Sequence, residues 1–257
     1  MILEYKNIAV NYTIEGKGDP IILIHGFLEN NTMWSSVIDV FKYTHQIITL
    51  DLLGHGNTDC LGYIHTIEEN ANIIYEIIKK HQIKKATLIG HSLGGYVALA
   101  FAELHKSLVE KICLVNSTPF ADSDLRKETR SRAIKAAQKN YNNLVSMSIS
   151  NLFYEKNRLK FKEQIESLKI EALKTPLQGY IATQEGMKIR KDRSKILNDL
   201  QCDKLIISGK NDPILNNEDL KKLNQINNLK ISIISGGHMS YIENRSDFLQ
   251  EIMHFIE

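Results

Sequence analysis

One stretch constrains this chain more than any other. From Lys85 to Leu104 it reads KATLIG-HSLGG-YVALAFAEL: a short apolar run, a turn crowded with glycine, then a helix apolar nearly all round. A run of that kind is a strand buried on both faces. A helix without a polar face has to lie near the centre of the molecule. A strand that turns straight into a buried helix predicts an α/β sheet covered on both sides.

The rest of the chain repeats that alternation. Ile2 to Tyr5 and Ile8 to Ile14 read as a hairpin, and Ile21 to His25, Gln46 to Leu50, Ile112 to Val115, Lys204 to Ser208 and Leu229 to Ile234 as further strands. Asn31 to Phe41, Thr66 to His81, Glu218 to Leu223 and Ser246 to Ile256 read as helices between them. Thr66 and Glu69 have capping-box spacing, and Ile67, Ala71, Ile74 and Ile78 form one stripe. Between Ala121 and Leu197 no strand is predicted. Helices are expected over Asp124 to Lys139, Leu144 to Tyr154, Lys160 to Leu173 and Pro176 to Met187, the last capped by Thr175 with Pro176 in its first turn. The expected organisation is an α/β core of residues 1–120 and 198–257 interrupted by a helical cap, 121–197.

The glycine-rich turn carries chemistry. Gly90-His91-Ser92-Leu93-Gly94 has the pattern G-x-S-x-G between a predicted strand and a predicted helix. So sharp a reversal strains the backbone at Ser92, and small residues two before and two after leave room for it. Glycine-rich strand–helix turns also bind phosphate, but the chain has no G-x-G-x-x-G or Walker lysine pattern. A neutral hydroxyl needs a base. His238, in Gly236-Gly237-His238-Met239 after the last strand, is the first candidate, and His25 and His55, also after strands, stay open. His45, His65, His81, His105 and His254 read as solvated histidines on turns or helix surfaces. The base needs an acid to fix its tautomer. Asp212, in Gly209-Lys210-Asn211-Asp212-Pro213, stands just past a strand; a turn aspartate before proline is the plainer reading, outweighed by its place between Ser92 and His238. Backbone amides of Phe27 and Leu93 are the expected oxyanion donors, worth roughly 3 kcal/mol of barrier each.

Composition excludes several classes. The 257 residues carry 32 Lys and Arg against 30 Asp and Glu, a net +2 that gives no reason to expect nucleic acid. Cys60, Cys113 and Cys202 are far apart and show no metal-binding spacing, so no metal is expected and a reducing compartment fits. There is no signal-peptide pattern and no apolar run long enough to span a membrane, and a cytoplasmic protein is expected. Charge is uneven: residues 121–200 hold 17 Lys and Arg against 10 Asp and Glu, or +7, leaving 2 − 7 = −5 elsewhere. Solvated helix faces account for that, or else a basic lid over a site for an anionic substrate.

Together these segments resemble the α/β-hydrolase superfamily over nearly the whole chain. His25-Gly26-Phe27 looks like its oxyanion loop, DLLGHG at Asp51 to Gly56 its D-x-x-G-x-G turn, GHSLGG at Gly90 to Gly95 its nucleophile elbow, GKNDPI at Gly209 to Ile214 its acid loop and GGHMSYIEN at Gly236 to Asn244 its histidine loop. The order Ser, Asp, His is also that of the superfamily. The resemblance implies a mostly parallel eight-stranded sheet flanked by helices, with a helical cap inserted after the sixth strand. It implies that Asp51 is structural, and a serine rather than an aspartate at 92 disfavours the haloalkane dehalogenase and epoxide hydrolase branches.

The expected reaction is hydrolysis of a small carboxylic ester through an acyl-enzyme on Ser92, with no cofactor. Trp34, Tyr96, Phe120 and Phe153 are candidate pocket residues, with Trp34 foremost because it follows the oxyanion loop closely. Tyr154, Tyr180 and Met187 complete the set, core packing in the cap being the alternative for each. Three rivals share the residues. One is a lyase or C–C hydrolase of the menaquinone-synthase type, which this chain resembles in its short cap and whose anionic substrates a basic cap would suit. Another is a thioesterase served by an acidic carrier protein, and the third is a ligand receptor with slow turnover. Sequence leaves the oligomeric state open.

Overall fold

The computed structural model describes residues 1–257. Its sheet has eight strands: β1 Ile2–Tyr5, β2 Ile8–Glu15, β3 Asp19–Ile24, β4 His45–Leu50, β5 Ala86–His91, β6 Val109–Val115, β7 Asp203–Gly209 and β8 Leu229–Ile234. Their spatial order is β1-β2-β4-β3-β5-β6-β7-β8. The β1/β2 and β2/β4 pairings are antiparallel and all others parallel. The hairpin, the alternation and the mostly parallel sheet are as the sequence predicts.

Side-chain alternation sorts the core into two layers. Ile22, Ile24, Ile48, Leu50, Leu88 and Ile112 face a layer shared with α2 (Ile67–Lys80) and α3 (Leu93–Leu104). Their neighbours Ile21, Leu23, Ile47, Ile89 and Cys113 face the other layer, shared with α1 (Ser35–Phe41) and α11 (Arg245–Ile256). The hydroxyl of Thr66 caps α2 by accepting from the Glu69 amide at 3.0 Å, and Ile67, Ala71, Ile74 and Ile78 are all buried. The run Asn31 to Phe41 divides into a 3₁₀ turn, Asn31–Trp34, and α1.

Between β6 and β7 the chain leaves the sheet for five helices: α4 Asp124–Lys139, α5 Tyr141–Leu152, α6 Lys162–Ala172, α7 Leu177–Lys188 and α8 Ser194–Asp199. Sequence reasoning missed α8, and it placed α5 a few residues late. Asn140 starts α5 by accepting from the Asn143 amide. The helix stops at Leu152 because the backbone there turns to the histidine loop: the Leu152 carbonyl accepts from the His238 amide at 2.8 Å. The expected cap on α7 is one residue off. Pro176 itself is the N-cap, extended, and Thr175 makes no capping bond; its carbonyl accepts from the Tyr141 hydroxyl. After β7 come α9 (Asn217–Leu220) and, after β8, the short α10 (Ser240–Glu243).

Candidate active site

The site grows from the junction of β3 and β5, where chain connections leave the sheet in opposite directions; open α/β sheets leave a crevice there. Ser92, between β5 and α3, has φ 49° and ψ −110°, a strained conformation for a residue with a side chain. Glycine is required on both sides of it. A Cβ on Gly90 would collide with Gly94, and one on Gly94 with the Ile24 carbonyl of β3. The Ser92 amide donates to the Val115 carbonyl at 2.9 Å, and the Ser117 hydroxyl donates to the Ser92 carbonyl at 2.7 Å.

Three sequence-distant side chains meet above this turn. His238 Nε2 lies 2.9 Å from Ser92 Oγ, and His238 Nδ1 lies 2.8 Å from Asp212 Oδ2. Asp212 is buried and satisfied: its Oδ1 accepts from the Ile214 and Leu215 amides, and its Oδ2 also accepts from Asn116 Nδ2 at 2.8 Å. Burial alone would raise its carboxyl; the His238 imidazole, Asn116 and the Ile214 amide override that and hold it below the ordinary carboxylate range. Asp212 therefore stays charged and orients His238 with its Nε2 toward the serine.

Of the other histidines left open as bases, neither reaches Ser92. His25 is buried, its Nε2 accepting from the Leu52 amide at 2.8 Å. His55 is buried beside it, held by the Leu53 carbonyl, and desolvation with the neighbouring His25 depresses it to about 3. His65 departs from expectation. It is wholly buried rather than solvated, accepts from the Leu61 amide and faces Thr183 Oγ1 of α7, and desolvation lowers it to about 4.

Of the two expected oxyanion donors, Phe27 lines the same cavity as Ser92, and Leu93 follows Ser92 directly. Phe27 follows β3, its amide has no acceptor within the chain, and the next residue, Leu28, has φ 63°. The Leu93 amide is the first of α3 and so has no helical partner. Sequence reasoning missed what fixes this loop. Glu29, fully buried, accepts from the Gly26 amide at 2.6 Å, pairs with His91 Nδ1 at 2.8 Å and accepts from the Tyr241 hydroxyl at 3.0 Å. His91 Nε2 donates in turn to the His238 carbonyl at 3.0 Å. Burial would depress His91 and raise Glu29; their mutual attraction wins, raising His91 and lowering Glu29. One ion pair thus ties the oxyanion loop, the elbow and the histidine loop together. Asn116, also missed, joins Asp212 to the Gly237 carbonyl and accepts from Ser240 Oγ. It stands at the end of β6, the same strand-end position that singled out Asp212 and His238.

A cavity of about 170 Å³ opens on Ser92 and His238, roofed by Arg126, Arg130, Ile149, Leu152, Tyr180 and Met187 of the inserted helices, with Tyr96 of α3 on its wall. That is close to the volume that holds one benzene-sized molecule. Tyr96, Tyr180 and Met187, three of the candidate pocket residues, are among its lining. Phe120 lines an adjoining cavity of about 230 Å³ that shares Tyr96, Arg126 and Ile214 with the first. Trp34, Phe153 and Tyr154 do not line the site. Trp34 and Phe153 are buried in the layer with α1 and α11, on the far side of the sheet from α2 and α3, because that layer offers each an apolar berth. Tyr154 is absent from the cavity wall; its backbone amide donates to Glu243, the carboxylate that also accepts from the Gly237 amide. A larger cleft, about 540 Å³, lies where β7 and β8 begin, lined by Lys204, Lys230 and Glu251, with no serine, threonine or cysteine in its wall.

Comparison with known proteins agrees with this fold. Residues 19–245 match the alpha/beta hydrolase fold family. An esterase of Thermogutta terrifontis superposes with a TM-score of 0.91 at 26% identity, over 97% of this chain and 93% of that one. The 3-oxoadipate enol-lactonase 1 of Acinetobacter baylyi is 24% identical over 98% of this chain and 94% of its own length. An uncharacterised protein of Mycobacterium tuberculosis is 36% identical over 106 residues, 41% of this chain but only 31% of that relative. No helix is long and apolar enough to cross a membrane.

Proposed function

The chain belongs to the alpha/beta hydrolase fold family, and on that premise we propose that it hydrolyses small carboxylic esters through an acyl-enzyme on Ser92. The observation that carries this reading is the continuous chain from Ser92 Oγ through His238 to the charged Asp212, opening into a cavity of about 170 Å³. Ser92 Oγ attacks the ester carbonyl while His238 Nε2 takes its proton. The oxyanion draws hydrogen bonds from the Phe27 and Leu93 amides, which need no reorganisation as charge develops. The tetrahedral species collapses, the C–O bond to the alcohol breaks, and His238 returns the proton to the departing oxygen. Water then attacks the acyl carbon, again giving its proton to His238, and the acid leaves with Ser92 regenerated.

Residues 1–120 and 198–257 form the catalytic core in this reading, and 121–197 the cap that sets specificity. The similarity to an esterase and to an enol-lactonase, whose named substrate is a cyclic ester, supports ester chemistry. The small cavity favours a free ester over the long arm of an acidic carrier protein. Three unpaired thiols, Cys60, Cys113 and Cys202, suit a reducing compartment and support work in the cytoplasm.

Steady-state assay on p-nitrophenyl acetate and butyrate tests the proposal. The expected result is rapid turnover with an initial burst of p-nitrophenol, reduced about 10⁶-fold in Ser92→Ala. Activity that survives in that variant contradicts it.

A further inference from the structure

The insertion brings three arginines to the site's edge and supplies them with one carboxylate. Asp122, just ahead of α4, gives one oxygen to Arg130 Nε at 2.5 Å and the other to Arg190. Arg130 spends a further donor on Gln184 Oε1 at 2.9 Å, and Gln184 donates to the Tyr180 hydroxyl at 3.3 Å. Arg190 also sits over the Tyr96 ring, its guanidinium carbon 4.0 Å from the ring centre. Both oxygens of Asp122 are therefore taken.

Arg126 is left over. One turn before Arg130 on the same face of α4, it lines both the catalytic cavity and the adjoining one, and its guanidinium has no partner in the chain. Its neighbours cannot serve. Glu29 is committed to His91, Gly26 and Tyr241, and Asp219, across the second cavity, pairs with Lys222 at 2.5 Å. Burial and the adjacent Arg130 both disfavour its charge. An ordinary surface arginine pays nothing for being unpaired, because water solvates it. A half-buried one beside two others, in a cavity this small, stores repulsion that an anion would relieve.

We propose that the ester taken by this site carries a carboxylate, which Arg126 binds in a fork while Ser92 attacks the ester carbonyl at the other end of the same cavity. The substrate class is a short dicarboxylic half-ester. A planar guanidinium with all its donors free matches a carboxylate's geometry, and the volume of about 170 Å³ limits the spacer to a few carbons. This inference rests on the hydrolase reading and narrows it.

The test compares methyl hydrogen glutarate with methyl butyrate, read as acid release in a pH-stat. Wild type is expected to favour the half-ester by 10- to 100-fold in kcat/KM, less so at high salt. Arg126→Gln is expected to bring the ratio of the two values close to one, and Arg126→Lys to restore part of it. Arg132→Gln, an exposed arginine on the same helix, should leave the ratio unchanged. Equal or better hydrolysis of methyl butyrate by wild type, or a ratio untouched by Arg126→Gln, overturns the inference and leaves the hydrolase reading standing. A separate readout covers the converse. If neither ester is turned over but glutarate raises the Tm of wild type and not that of Arg126→Gln, the anion site stands and the hydrolase reading falls. If glutarate raises neither Tm and neither ester reacts, both fall.

Discussion

The rim of the sheet and the inserted helices beside it solve different problems. At the rim, Ser92, Asp212 and His238 each sit in a short motif at the end of a strand, and the sheet's own spacing brings His238 within 2.9 Å of Ser92 and 2.8 Å of Asp212. In the insertion, position depends on which face of each helix docks, and no local pattern states that. Leu28, Ala137, Val145, Ile149, Ala172 and Tyr180 form a small cluster joining insertion and oxyanion loop, assembled from segments more than 150 residues apart (28 to 180). Reactivity is thus written in short strings and specificity in tertiary contacts.

The two regions should respond differently to substitution. The largest effect is expected at the rim. Asp212→Asn keeps the shape but lets His238 take the wrong tautomer, and kcat should fall about 10⁴-fold with little change in KM; a loss under tenfold would show that the rim is less integrated than its hydrogen bonds suggest. Next comes the buried pair beneath it. His91→Gln strands the Glu29 carboxylate, both side chains being 2% exposed, and should cost on the order of 3 kcal/mol near neutral pH. Its pH dependence supplies a sharper mark. His91 is raised above its ordinary 6.5, so the stability it contributes is full below that value and is lost as pH rises through the folded pKa. Glu29 is lowered, so its share is present above 4.5 and lost as pH falls through its own folded pKa. Tm measured from pH 4 to 9 should fall on the alkaline side in wild type and lack that limb in His91→Gln.

Smaller effects belong to the insertion. Arg193, 2% exposed, spans Glu68 and Glu103 on α2 and α3, with both carboxylates about 30% exposed. Water can take over those carboxylates, so Arg193→Met should cost about 1–2 kcal/mol by chemical denaturation and leave kcat/KM on methyl butyrate unchanged. Arg193 meets more negative charge than it carries, whereas Arg126 meets none that is free. That contrast separates an anchoring arginine from a binding one. Least is expected of Trp34→Phe: KM should not move, because Trp34 lies outside the cavity. A shift of several fold in KM would mean that the two regions are coupled through α1.

Much of this is legible in the sequence. The strand–helix alternation, the elbow at Gly90 to Gly94 and the strand-end positions of Asp212 and His238 all follow from local pattern. What escaped was long-range. Glu29 lies in the loop HGFLEN, whose local pattern marks only the backbone amides, and its partner His91 is 62 residues away. His65 reads as a polar turn residue, yet the docking of α7 buries it against Thr183. Trp34 and Phe153 are large and near site segments in sequence, and only packing reveals that they point into the opposite layer.

The central claim is that His238 makes Ser92 the one reactive hydroxyl of the chain. Labelling with a fluorophosphonate, followed by peptide mapping of wild type and His238→Ala, addresses it directly. The expected outcome is a single adduct on Ser92, formed at least about 10²-fold more slowly in the variant. An adduct on any other serine, or an undiminished rate without the imidazole, contradicts it.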